Sequence, residues 1–146
     1  MADNAKTPRP VYRNIHVTDI VTYRMPLAAI VSILHRISGA LMFLLMPFII
    51  WMFDASLTSE ISYEAFTSVF TVGCADGAVP GWFFKLIALG LIWAYLHHFC
   101  AGLRHIWMDV SHKSVNKEFG KNSALACFAI SLLLTAILGA KLFGLY

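Results

Sequence analysis

Apolar residues fall into three long runs separated by polar segments. The first starts near Pro26 and ends near Phe53, and from Ile37 to Phe53 it carries no charge before Asp54 stops it. The second extends from about Trp82 to Trp107, and the third from Ala124 to about Phe143. Each comes close to or exceeds the roughly 20 residues a helix needs to cross the hydrocarbon core of a bilayer. The pattern predicts an all-α integral membrane protein: an N-terminal arm over 1–25, then three transmembrane helices over about 26–53, 82–107 and 124–143 in an up-down-up bundle. Pro26 suits a first helical turn, where its missing N–H costs nothing. Between the first two runs, Ile61, Ala65, Phe66, Val69 and Phe70 recur at helical spacing, which predicts a short amphipathic helix lying on the membrane surface. Gly73, Gly77, Pro80 and Gly81 then break the chain.

Composition narrows the function classes. Of 146 residues 59% are hydrophobic and only 13% charged, with a mean hydropathy of +0.71. That is too little polar surface for a soluble domain, so any chemistry takes place in the membrane or on a partner. The net charge of +3 speaks to topology, and no basic tract interleaved with aromatics suggests nucleic acid. Lys6, Arg9, Arg13 and Arg24 precede the first span; Lys113, Lys117 and Lys121 lie between the second and third. The loop after the first span carries Asp54, Glu60, Glu64 and Asp76. This bias places the N-terminus in the cytoplasm and the C-terminus on the periplasmic side. Residues Met1 to Arg24 lack the apolar core of a signal peptide, and a bacterial inner membrane is the expected location.

Ionisable side chains at membrane depth are costly and demand a reason. In the second span His98, Gly102, His105 and Asp109 sit at i, i+4, i+7 and i+11, on one narrow helical face at about 100° per residue. His98 is the deepest, roughly 16 Å of helix rise from Asp109. A neutral imidazole is a usual axial ligand of b-type haem, and a glycine one turn away lets a flat macrocycle approach the backbone. His105 lies nearer the surface, where haem propionates want hydrogen-bond donors. His97 points about 100° away and ranks second as a ligand. A buried histidine satisfied by packing gives the same pattern. Cys74, Cys100 and Cys127 make neither a metal spacing nor a haem-attachment motif, so a haem here would be held by ligation and packing.

In the first span Ser32 and Arg36 share a face, and His35 points about 100° from Arg36. A hydroxyl and a guanidinium can hydrogen-bond a quinone carbonyl and stabilise the charge that develops on its reduction. An arginine that snorkels to the headgroups is the plain alternative. Asp109 lies at a depth where it can pair with Arg36, as a proton carrier or as a simple salt bridge.

The segment Ser32-Ile-Leu-His35-Arg36-Ile-Ser38-Gly39, with Arg9-Pro10 before it, resembles the opening of the cytochrome b membrane-anchor subunit of succinate dehydrogenase (complex II). The stretch from His98 to Asp109 resembles that family's H-x-x-x-G-x-R-H-x-x-x-D signature. The likeness covers nearly the whole chain. It implies that His98 is the axial ligand of one haem b, whose other ligand comes from a second, smaller anchor subunit. It implies that His35 and His105 lie by the propionates, that Ser32 and Arg36 line a ubiquinone site, and that Asp109 neighbours Arg36. Succinate oxidation would belong to a flavoprotein subunit, with electrons reaching the quinone through an iron–sulfur subunit. Two other readings stay open: a cytochrome that holds its haem alone between His35 and His98, and a cofactor-free tether.

Overall fold

A computed structural model describes residues 14–74, 78–112 and 115–146, without the side chains of Val17, Ile20 and Val21. Lys6, Arg9, Pro10, Arg13, Asp76, Gly77 and Lys113, each given weight above, lie outside the described residues.

The protein is all-α in its main architecture. A short α1 (Val17–Thr22) leads to α2 (Leu27–Leu44) and α3 (Met46–Leu57), which together cover the first apolar run. Then come α4 (Glu60–Thr71), a minimal ribbon of β1 (Gly73–Cys74) and β2 (Val79–Pro80), α5 (Gly81–Val110) and α6 (Lys117–Leu142). Helices α2, α5 and α6 are each long and apolar enough to cross a membrane. At 30 residues α5 is about 45 Å long and outreaches the hydrocarbon core.

The first apolar run is not one straight helix. Leu45 leaves helical geometry at φ −90°, ψ 5°, and Pro47 stands in the first turn of α3. Proline offers no N–H to the carbonyl four residues back, here Phe43, and its ring crowds that carbonyl, so the helix breaks and restarts. The run also ends later than its charge pattern predicts. Asp54 interrupts the apolar stretch but stays within the last turn of α3, where its carbonyl accepts from the Thr58 N–H at 3.0 Å. The predicted surface helix is α4. Ser59 caps it, accepting from the Ser62 N–H at 3.1 Å while the Ser62 hydroxyl accepts from the Ser59 N–H at 2.9 Å. Phe66 and Phe70 pack edge to face along its inner side, 5.2 Å apart. Gly73 adopts φ +111° to turn the chain into the ribbon, and a side chain there would strike the Val79 carbonyl.

The interior is narrow and built from small groups. Val31, Leu91, Ala94, Ala101, Ala124 and Cys127 are its buried apolar members among the described residues, with Ser38, His97 and Ser131 its buried polar ones. Small residues let backbones approach, which is how helices gain packing energy where lipid is as apolar as leucine. Helix α5 is central and packs on both α2 and α6. The α5–α6 pair is tied by Arg104, whose Nε donates to Ser123 Oγ at 2.9 Å and whose guanidinium reaches the Gly120 carbonyl at 3.4 Å. Arg104→Met removes both bonds. It should cost about 1 kcal/mol, read as a lower thermal unfolding midpoint in detergent.

Candidate functional site

Three histidines meet where α2 crosses α5. His35 of α2 stacks on His98 of α5, with ring centroids 4.1 Å apart and planes within 18°. His105, two turns after His98, lies 5.2 Å from His35. The crossing is reciprocal. Each helix places a histidine four residues before a glycine, and each histidine lies against the other helix's glycine. A Cβ on Gly39 would stand 2.8 Å from His98 Cε1, closer than real contacts allow; one on Gly102 would meet His35 Nε2 at an ordinary 3.7 Å. The shared face predicted for His98, Gly102 and His105 therefore turns toward α2.

The His98 ring is fixed at one nitrogen. Its Nδ1 is 3.0 Å from the His35 carbonyl and 3.3 Å from Ser38 Oγ. A carbonyl cannot donate, so the proton of that bond sits on Nδ1, and in the neutral ring Nε2 then keeps its lone pair. This is the state a neutral imidazole needs in order to bind iron, with its other nitrogen tied to a backbone acceptor. The donor set and the Gly39 cradle fit a haem ligand at His98. His35 is placed differently: its ring lies face to face with that of His98, with no gap for a macrocycle between them. The two are thus not arranged as opposed ligands of one iron. Among the described residues no group of three His, Cys, Asp or Glu is set to hold a bare metal ion.

His97 faces the other way. It is wholly buried, stacked on Trp93 at 5.2 Å and against Phe128 of α6 at 5.4 Å. Neither of its ring nitrogens makes a well-formed hydrogen bond among the described residues, the Val31 backbone of α2 being the polar group it approaches. A helix places neighbouring residues about 100° apart, so the step from 97 to 98 moves an imidazole from the sealed α5–α6 interface to the α2 crossing.

The candidate quinone residues are less gathered. Ser32 is half-buried and Arg36 exposed on α2, and Asp109 is exposed near the end of α5. No ion pair joins Arg36 to Asp109 among the described residues. A cavity of about 810 Å³ opens at the same end of the bundle, between Pro26, Leu27 and Ala28 on one side and Asn116, Lys117 and Lys121 on the other. None of Ser32, Arg36 and Asp109 lines it.

Residues 7–138 match the family described as the succinate dehydrogenase/fumarate reductase transmembrane subunit. The chain belongs to that family. It is 33% identical over 137 residues to the succinate dehydrogenase cytochrome b556 subunit of Paracoccus denitrificans, covering 94% of each chain. It is 31% identical over 121 residues to the subunit of the same name from Coxiella burnetii (strain RSA 493 / Nine Mile phase I), covering 83% of this chain and 90% of that one. The chain is thus a multi-pass, non-catalytic membrane subunit of a succinate dehydrogenase, a cytochrome b anchor, as the two motifs imply.

Within this succinate dehydrogenase subunit, Ser38 and Gly39 are the site residues that sequence reasoning left without a role. The repeated H-x-x-x-G spacing at 35–39 and 98–102 was the available signal. A single added methyl tests the crossing. Gly39→Ala should lower stability by about 1–3 kcal/mol by driving His98 off its seat. Gly102→Ala should be neutral or slightly stabilising to the polypeptide, since it meets only an ordinary contact and gains helix propensity. Thermal unfolding of the two variants side by side checks the difference.

Proposed function

We propose that this subunit binds one haem b through His98 and helps to form the site at which ubiquinone is reduced with electrons from succinate. The observation that carries the reading is the single-ended tether of His98: Nδ1 occupied by the His35 carbonyl, Nε2 left with its lone pair. The other ligand would come from a second, smaller anchor subunit, which would share the haem with this chain. His35 and His105 would hydrogen-bond the haem propionates, and Gly102 gives the His35 ring room beside α5. The haem, when bound, would supply a one-electron centre to the complex.

Ser32 and Arg36 bind the quinone. The hydroxyl and guanidinium donate to its carbonyl oxygens, and the fixed positive charge favours the electron-rich reduced forms. Asp109 acts beside Arg36, holding its charge or exchanging protons with the cytoplasm. Iron–sulfur and flavoprotein subunits dock on the cytoplasmic face, which carries Arg24, Lys117 and Lys121. The location that fits is a bacterial inner membrane, with the N-terminus cytoplasmic and the C-terminus periplasmic.

Two measurements on the purified complex test this. His98→Ala should abolish or severely loosen haem binding, seen as loss of the reduced-minus-oxidised b-type spectrum; full retention with a normal spectrum excludes His98 as the ligand. Ser32→Ala and Arg36→Leu should cut quinone reduction about tenfold or more, the scale of lost charge-stabilising donors. Succinate oxidation by an artificial soluble acceptor should persist. Equal loss of both activities would assign these residues to assembly.

A further inference from the structure

Ser38 has no role assigned within the motif that contains it, yet it is completely buried and meets the His98 ring. Its hydroxyl donates to the His35 carbonyl at 2.9 Å. With that proton spent, the hydroxyl oxygen faces His98 Nδ1 at 3.3 Å with lone pairs only. The Nδ1 proton is therefore shared between two acceptors, the His35 carbonyl at 3.0 Å and Ser38 Oγ. Those acceptors are themselves bonded to each other, which makes a closed triangle of three groups. Gly39, the next residue, is the wall against which the same ring rests.

A triangle constrains more than a single bond does. One acceptor fixes the tautomer of an imidazole but lets the ring swing about the bond. Two acceptors at different angles, with a backbone wall on one side and the His35 ring on a face, leave one rotation. They also draw the Nδ1 proton outward, so the ring is more electron-rich at Nε2. Groups of this kind around a ligand histidine tune the affinity and potential of the iron it holds.

We propose that Ser38 is a positioning residue for the haem ligand, its buried hydroxyl and the His35 carbonyl together setting the rotation and the basicity of the His98 imidazole. The inference rests on the reading of His98 as the axial ligand. Ser38 itself touches no iron. It acts through His98, and its removal weakens the donation of Nε2 without taking the ligand away.

The test is made on the assembled complex with its haem. Ser38→Ala should raise the midpoint potential of the haem, because a less electron-rich ligand stabilises ferric iron less. It should shift the lowest-field g value of the ferric electron paramagnetic resonance spectrum, and speed haem transfer to apomyoglobin roughly tenfold, the lower end of effects seen at such positions. Ser38→Thr, which keeps the hydroxyl, should stay near the parent in all three. Unchanged potential and g values in Ser38→Ala, or equal shifts in the alanine and threonine variants, would overturn the role. If Ser38→Ala fails to accumulate in the membrane, Ser38→Cys carries the same readouts, since a thiol is a much weaker hydrogen-bonding group. His98→Ala separates the two levels. A haem retained in that variant removes the ligation reading; a haem lost there, with Ser38→Ala indistinguishable from the parent, removes only the part given to Ser38.

Discussion

A polar group inside a lipid-embedded bundle must find its partner within the protein, because the solvent offers none. The bond from His98 to the His35 carbonyl answers that demand, and much of the site follows from it. To make it, α2 and α5 must approach until a side chain on one meets the backbone of the other. That approach requires glycine at 39, places small residues along the interface, and stacks His35 on His98. The same bond decides which nitrogen of the imidazole stays available. Structure and chemistry here share one cause: the geometry that satisfies an N–H inside the bundle also leaves the other ring nitrogen uncommitted.

The two adjacent histidines show how sharply a helix sorts identical side chains. His98 lies at the α2 crossing with a backbone partner, whereas His97 is enclosed by Trp93 and Phe128, and neither of its nitrogens makes a well-formed hydrogen bond among the described residues. An unpartnered buried polar group costs about 1–3 kcal/mol. Part of this is offset by the ring's apolar contact with two aromatics. His97 thus acts as a flat packing element between α5 and α6.

How much of this could be read in the sequence depends on which contacts are local. The three spans and the helix at 60–71 follow from hydropathy and period, which are properties of single segments. The common face of His98, Gly102 and His105 follows from helical arithmetic within α5. The break at Leu45 was legible in Pro47, but the unbroken apolar run around it hid the signal. Asp54 marked the end of the apolar stretch and not the end of the helix. Roles for Ser38, Gly39 and Arg104 could not be read, since each depends on the register between two helices that meet 60 or so residues apart in the chain or across a turn. The H-x-x-x-G repeat was present in the letters at 35–39 and 98–102. Its meaning required knowing that the helices cross there.

The bundle has more outside than inside. Its buried core is a handful of mostly small residues, while large side chains such as Phe43, Trp51, Tyr95, Phe99 and Leu133 point outward. A monomer so built draws little of its free energy from its own interior. Lipid acyl chains and sister subunits complete it, and its persistence in a cell becomes a matter of stoichiometry: copies made in excess of the complex are the ones that quality-control proteases will find.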